Sequence, residues 1–523
     1  MRVAVVGSGV SGLAASWLLN EQTDHEVHLY EADARPGGHA NTVSALVPGY
    51  CDVDVDTGFI VLNPTTYPNF LRFLRSKPEL TILPTEMTFS VSRDGGAFEW
   101  AGDGIRSVFC QPWRVFEPRM WRMLYDVLRF NACARSILKD DKADLGAEMS
   151  IGEYLQKEGY SDAFRDDYLL PMTAAVWSTP PDVCALDFPA KTLIRFLHNH
   201  HLLQITGKPS WLTIKGGSKK YVDTVVSALP ASQLHVSTPI KSVSPSEHGG
   251  GVTLQTESGT IETFDHVIFA CHSDQALRII NAGDRGATQD EQRILGGFEW
   301  SQNEVVLHYD EEFMPRSKLA WSCWNYLTTS GVDAQGNPQP NNAQVSLTYY
   351  MNALQHLEDR TYGVLLATLN PLTPPNPTKV LGRYSYAHPV LTARAVRLQA
   401  ELPTIQNVRG LSFAGAWTRY GFHEDGFASG LRAALAVARG SGRALKSDIE
   451  VLDAERAHAS DVGRLAGAFA SFEGSGAREL VGRLLVPVLL GLQIVVYWVL
   501  ARAGGLQSVK GKSAKGKEKA KAD

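Results

Sequence analysis

The chain has 523 residues, 44% hydrophobic and 20% charged, with a formal net charge of −5. That length exceeds one ordinary core and predicts two domains, and the composition excludes a wholly disordered chain. Residues 510–523 hold six lysines, one Glu and one Asp, a local +4 that leaves −9 on the remainder, so the folded body is no basic nucleic-acid binder.

Arg2-Val3-Ala4-Val5-Val6 is a short apolar run that predicts a buried parallel strand. Gly7-Ser8-Gly9-Val10-Ser11-Gly12 follows at once with G-x-G-x-x-G spacing. Gly7 permits the tight turn, Gly9 lets the backbone approach a pyrophosphate, and Gly12 lets the next helix pack on the strand. The helix is predicted from Ser11 to Leu19, with its N-terminal N–H groups facing the phosphates. A second strand, Glu26 to Tyr30, ends at Glu31, where an acidic group binds a ribose hydroxyl in such folds. Arg35-Pro36-Gly37-Gly38-His39 then offers another close backbone approach.

Met120 to Leu138 has apolar residues at helical spacing. His198, His200 and His201 cluster, but no acidic partner stands at ligand spacing, so no metal site is expected. Lys215-Gly216-Gly217 leads into a predicted helix, Lys219 to Leu229. Strands follow over Ser237–Val243, Gly251–Leu254, Thr260–Thr263 and Asp265–Ala270, the last ending in Cys271-His272. Glu304 to Tyr309 and Val345 to Tyr349 alternate as sheet does, and Gly331 to Asn342 is composed as a surface loop.

Leu411-Ser412-Phe413-Ala414-Gly415 predicts a strand ending in glycine. After Gly421-Phe422-His423-Glu424-Asp425-Gly426, the stretch to Gly430 is expected to open a helix, Leu431 to Val437. A helix N-terminus there would offer donors to developing negative charge.

Residues 484–501 are 18 uncharged residues between Arg483 and Arg502, about 27 Å as a helix and close to a bilayer core of about 30 Å. A spanning anchor and an in-plane helix helped by Pro487 both fit. Six cysteines are scattered without a C-x-x-C pair, which predicts free thiols in a reducing compartment. No apolar segment precedes the first strand, so no secretory leader is expected and the body should be cytosolic.

The Gly7–Gly12 loop, Gly37-Gly38-His39, and Phe413-Ala414-Gly415 with Gly421 to Gly426 together resemble the FAD-dependent amine oxidase superfamily. A nearer likeness is to the branch resembling the N-terminal flavin domain of plant cyclopropane fatty acid synthases. It rests on Asp56-Thr57-Gly58-Phe59, Thr66-Tyr67-Pro68-Asn69, Ala175-Val176-Trp177-Ser178, His198-Asn199-His200, Lys215-Gly216-Gly217-Ser218 and Tyr350-Met351-Asn352. The resemblance implies an α/β two-dinucleotide-binding-domain flavoprotein with a Rossmann-like FAD domain and a mixed α+β substrate domain. The FAD domain is expected from residues 1–65, 208–290 and 401–440, and the substrate domain from 66–207 and 291–400. A helical connector is expected at 441–482, a membrane-type helix at 483–505 and a basic disordered tail at 506–523.

It also implies that Gly7, Ser8, Gly9, Ser11, Gly12, Glu31, Gly37, Gly38, His39, Ile240, Gly415, Glu424, Asp425 and Gly426 hold FAD. Many amine oxidases carry a Lys near the flavin on a strand like Asn303–Leu307, and Glu304 is its expected equivalent. Residues 376–410 contain no Cys, so FAD is expected to be non-covalent. Tyr386, His388, Phe422 and His423 are the expected flavin-facing residues, a His serving as base or proton shuttle. Trp177 and Tyr349 are expected in the core or pocket wall.

The implied chemistry is hydride transfer from a substrate C–H to FAD, with O2 or another acceptor taking the electrons. A membrane helix beside an apolar cavity favours a lipid or fatty-acyl substrate. Oxidation of a small-molecule amine, and a non-catalytic FAD-stabilised partner of a lipid methyltransferase, are the alternatives.

Overall fold

The computed structural model describes the chain except residues 140–148, 178–185, 187, 204–209, 247–250, 333–337, 342–343, 443–444, 454–462 and 503–523. Ser178, Cys184 and the basic tail therefore lie outside the described residues. Six helices frame the site and the C-terminal segment: α1 (Val10–Gln22), α2 (Pro68–Arg75), α3 (Pro118–Cys133), α4 (His423–Gly440), α5 (Gly463–Gly474) and α6 (Ala477–Arg502).

The opening strand, Arg2–Val6, is the centre of a five-stranded sheet ordered Leu234–His235, Glu26–Tyr30, Arg2–Val6, His266–Phe269 and Leu411–Phe413. Every pairing in it is parallel. Parallel strands covered on both faces must be apolar throughout, and Val3, Ala4, Val5 and Val6 are all buried. On one face α1 and α4 lie side by side at glycine contacts. A Cβ on Gly430 would stand 2.1 Å from the Ser11 carbonyl oxygen, and one on Gly426 would stand 2.5 Å from Val10 Cγ1. The first and last thirds of the chain thus share one core.

A seven-stranded sheet carries the other half: Val380–Val390, Glu299–His308, Leu366–Leu369, Ser346–Tyr350, Trp324–Thr328, Phe89–Arg93 and Phe98–Ala101. Its inner face and the helices over it form a separate apolar cluster that includes Val305, Leu307, Leu347, Leu369 and Tyr386. A small sheet, Val61–Leu62, Trp211–Ile214 and Ile82–Thr85, ties the two halves together.

Several expectations shift. The closing helix begins at His423, a full two turns before Leu431, so Gly426 and Gly430 are interior packing positions. The expected loop at Gly331–Asn342 contains an antiparallel pair, Ser330–Val332 with Pro338–Pro340. Pro118–Cys133 is α-helical, and Ala134–Lys139 tightens to 3-10. The C-terminal helix starts at Ala477, runs through Pro487, and is long and apolar enough over Ala477–Val496 to cross a membrane; none of that stretch is buried in protein. The helix α5 before it docks on α3: Tyr125 packs edge-on to Phe469, the Tyr125 hydroxyl donates to Glu473 Oε1 at 3.0 Å, and Arg129 Nε donates to it at 3.0 Å.

Candidate active site at the junction of two cavities

Two cavities meet between the sheets. The first runs along the carboxyl ends of the parallel strands. Gly7, Ser8, Gly9, Ser11, Glu31, Gly38, His39 and Gly415 line it, as the sequence predicts. The second lies under the seven-stranded sheet and is walled by Phe59, Phe196, Trp324, Tyr349, Tyr386 and Phe422 among others. Four residues line both: His39, His388, Gly421 and His423.

The first cavity is built for a dinucleotide. Gly7 turns the chain at φ +102°, and a Cβ on Gly12 would sit 1.8 Å from the Gly7 carbonyl oxygen, so neither tolerates a side chain. A Cβ on Gly9 would meet nothing within 4 Å: the space beyond that α-carbon is open to a ligand. No side chain caps the N-terminus of α1, so its first N–H groups are free to take phosphate oxygens. Glu31 Oε2 accepts from the Ser8 N–H at 2.9 Å and from the Ser8 hydroxyl, and Oε1 accepts from the Asp33 N–H at 2.9 Å. A carboxylate has about four acceptor sites, so capacity for a ribose hydroxyl is left. Gly37 supports this loop: its N–H donates to the Ser8 carbonyl oxygen at 3.0 Å. The donor set, the open cradle and the uncapped helix fit FAD.

Four expected cofactor ligands are placed elsewhere. Ile240 is buried in the core beside Val243 and Leu254. Glu424 caps α2 instead. Its oxygens accept from the Asn69 N–H at 2.9 Å, the Asn69 amide at 2.7 Å and the Phe70 N–H at 2.9 Å. Burial nevertheless pushes its pKa up to about 7. Asp425 accepts from the Phe422 N–H at 3.0 Å and so caps its own helix. Gly426 is a contact point between α4 and α1.

At the junction the histidines are held neutral. His388 stacks on His39 with ring centroids 5.2 Å apart. Burial lowers His388 to about 4 and His423 to about 3, and lowers His39 well below its ordinary value. The expectation of a base or shuttle titrating near pH 7 is therefore corrected: these rings are neutral, weakly basic imidazoles. The Asn303 amide donates to His388 Nδ1 at 2.8 Å, and its own oxygen accepts from Asn370 at 2.7 Å, which leaves the His388 proton on Nε2. His423 is stacked on Phe59 at 3.8 Å and shares a 2.8 Å hydrogen bond with the Tyr221 hydroxyl.

Tyr386 is fixed by its hydroxyl, 3.0 Å from the Asn41 amide and 2.7 Å from Thr57 Oγ1. Burial raises its pKa, so it stays a phenol. Phe422 stacks with Phe196 at 5.1 Å and lines the second cavity. Tyr349 lines it too, and Trp177 packs on Phe196 at 4.4 Å. His200 lines it with Nδ1 on the Phe196 carbonyl oxygen at 2.9 Å.

Glu304 does not face this cavity. It is exposed and paired with Arg383 at 2.8 Å. The strand alternates, and its neighbour Val305 is the cavity residue. The expected phase of this strand is thus reversed by one residue: Val305, not Glu304, faces the cavity. No Asp, Glu, Lys or Arg lines the second cavity among the described residues. Sequence reasoning misses the roles of Asn41, Asn303 and Tyr221, whose partners Tyr386, His388 and His423 stand 345, 85 and 202 residues away.

Comparisons with known proteins agree with this architecture. The family profile described as "Flavin containing amine oxidoreductase" matches residues 10–438. Among solved structures, "Cyclohexylamine Oxidase from Brevibacterium oxydans IH-35A" superposes with a TM-score of 0.57 at 15% identity, covering 84% of this chain and 99% of that one. A "CLA-producing fatty acid isomerase from P. acnes" gives 0.56 at 14% identity, with 84% and 98% coverage. Putrescine oxidase bound to putrescine gives 0.57 at 16%, with 84% and 99% coverage. At these identities the likeness is one of fold. No curated protein sequence matches the chain.

Proposed function

From the premise that the chain belongs to the flavin containing amine oxidoreductases and is an FAD-dependent oxidoreductase, we propose that its substrate is an apolar, lipid-like molecule oxidised or desaturated at a C–H bond. The observation that carries this is the second cavity, walled by aromatic and aliphatic side chains, with no carboxylate among its described lining residues. An ammonium entering it would lose its hydration without an ionic partner, a cost of several kcal/mol. An alkyl chain loses nothing and gains about 0.8 kcal/mol per buried methylene.

Bound FAD would supply the two-electron acceptor for this oxidation: the electrons leave the substrate carbon as a hydride, a second substrate hydrogen leaves as a proton, and O2 or another acceptor would reoxidise the cofactor. The chain's residues do the rest. Uncapped α1, Gly9 and Glu31 hold the dinucleotide. Tyr386, locked by Asn41 and Thr57, and Phe422, locked by Phe196, give the cavity fixed walls that orient the reacting carbon and exclude water. His388 and His423 add polar edges without charge at the junction. We assign residues 1–65, 208–290 and 401–440 to the FAD half and 66–207 and 291–400 to the substrate half.

The test is anaerobic titration of the FAD-loaded protein with fatty acids, acyl esters and isoprenoids in one series and primary amines in another, following bleaching of the flavin absorbance. Reduction by a lipid supports the reading. Reduction by amines alone replaces it with amine oxidation, and no reduction by either series points to a non-catalytic partner of a lipid-modifying enzyme.

A further inference from the structure

The substrate cavity is walled mainly by apolar side chains, yet it is not free of polar atoms. Away from the junction with the dinucleotide cleft, three lining side chains present a polar atom that no described residue satisfies: the Tyr67 hydroxyl, the Trp211 indole N–H and His200 Nε2. The other polar side chains on that wall are engaged. Thr57 and Tyr386 bond each other at 2.7 Å, and Tyr349 has a partner within the protein. The Trp324 indole N–H also lacks a partner, but it is sealed from the cavity, whereas the three tips are open to it. Tyr67 is otherwise buried, with 6% of its surface exposed.

The state of His200 is set by its own helix. The residue ends the helix Ala190–Asn199, and its backbone N–H donates to the Phe196 carbonyl oxygen at 3.0 Å. The ring is held between Phe196 and Phe422, with centroids 3.9 and 5.1 Å away. Its Nδ1 stands 2.9 Å from the same Phe196 carbonyl oxygen. A carbonyl oxygen can only accept, so Nδ1 carries the proton. Burial pushes the pKa down to about 4, and the ring is neutral at pH 7. Nε2 therefore keeps a bare lone pair on the cavity side. It is an acceptor that cannot donate, whereas Trp211 can only donate and Tyr67 can do either.

These three tips define the polar group that fits. A substrate that fills the cavity displaces their water, and each tip left unmet weakens binding. A plain hydrocarbon meets none of them. A carboxylate or phosphate offers no proton to Nε2 and finds no cation among the described lining residues. An ether or an ester carbonyl can accept from Tyr67 or Trp211, but it sets lone pair against lone pair at His200. An ammonium can donate, but it brings an unpaired charge. A hydroxyl donates through its proton and accepts through its oxygen. We propose that the cavity selects a neutral, hydroxyl-bearing lipid whose O–H donates to His200 Nε2, with the Tyr67 and Trp211 donors serving its oxygen. The proposal rests on the lipid-like substrate assigned above and narrows it to an alcohol.

The test is binding to the full-length, FAD-loaded chain, read anaerobically from the perturbation of the flavin absorbance so that no turnover is needed. The probes are 1-decanol, the isosteric ether 1-methoxynonane, which lacks the donor, and decanoate. Decanol is expected to bind at least about ten-fold more tightly than either of the others. Equal binding of alcohol and ether overturns the proposal, and this comparison needs no variant. His200→Phe keeps an aromatic ring between Phe196 and Phe422 but removes the acceptor. It should reduce the alcohol-over-ether preference to less than about three-fold while the affinity for the ether stays within about two-fold of wild type. A preference undiminished in His200→Phe, or an equal loss of alcohol and ether affinity, overturns the role of His200. Bleaching of the flavin by amines alone overturns the lipid reading above, whereas the alcohol-over-ether preference decides the present proposal separately.

Discussion

His39 and His388 lie face to face, 5.2 Å between ring centroids and 16° between planes, where the dinucleotide cleft meets the apolar cavity. Two stacked imidazoles cannot both carry a charge in this place, and burial keeps His388 near 4. Asn303 supports that state by donating to Nδ1. Asn303→Asp replaces the donor with a carboxylate, and should raise the His388 pKa by more than about one unit and move its proton to Nδ1. Nitrogen-15 chemical shifts of the ring across a pH titration read both changes. An unshifted His388 would remove Asn303 from its positioning role.

The glycines of the opening loop separate folding from cofactor binding. Gly9→Val places its side chain in open space, so the thermal midpoint should change little while bound flavin falls at least about ten-fold. Gly12→Ala drives a Cβ into the Gly7 carbonyl oxygen and should destabilise the chain by roughly 2–4 kcal/mol, with or without flavin. Flavin absorbance and thermal unfolding of the two variants distinguish these cases. Unimpaired flavin content in Gly9→Val would contradict the cradle.

Register on the Glu299–His308 strand makes a third prediction. Glu304→Lys breaks an exposed pair with Arg383 and should leave the flavin spectrum and turnover within about two-fold of wild type. Val305→Lys puts an ammonium into the apolar cavity. It should lower stability by roughly 2–3 kcal/mol at pH 7, with the loss growing as pH falls, because the buried amine has a depressed pKa. The spectra of the two variants, recorded side by side, decide which residue faces the cofactor.

Glu424 gives the pH dependence its sign. Its folded pKa of about 7 lies above the ordinary 4.5, so the folded state binds its proton more tightly than the unfolded chain does. Its contribution is fully present below about pH 4.5 and is lost as pH rises through 7. Glu424→Gln keeps one acceptor for the α2 N-terminus but cannot ionise. Relative to this variant, the wild type should lose on the order of 3 kcal/mol between pH 4.5 and 8, the equivalent of raising the pKa from 4.5 to about 7. Denaturant midpoints of the two proteins across that range measure it, and parallel pH curves would refute it.

The parallel sheet and its phosphate loop are readable in sequence because strand, glycine spacing and acid stand within about thirty residues of each other. Their geometry is set by local backbone rules. Glu424 and Asp425 are misread for a physical reason. A carboxylate at a helix start can serve a cofactor or a neighbouring helix terminus, and only the position of Asn69 and Phe70, some 355 residues away, decides between them. Likewise the alternation of the Glu299–His308 strand is visible, but its phase is not. A one-residue slip exchanges the buried and exposed faces, and pairing with Val380–Val390 fixes that choice in three dimensions. The apolar cavity under the seven-stranded sheet is invisible in sequence, since its lining is assembled from separate segments between His39 and His423.

The parallel sheet has a consequence for biosynthesis. Its central strand is made first, and its outer strand, Leu411–Phe413, is made some four hundred residues later. At about 5–20 residues per second the ribosome needs roughly 20–90 s to reach α4. Throughout that interval the apolar flank of α1 has no α4 to cover it. The nascent chain must therefore be sheltered by chaperones or remain loosely collapsed, and flavin capture follows translation of the last third of the body rather than accompanying that of the first.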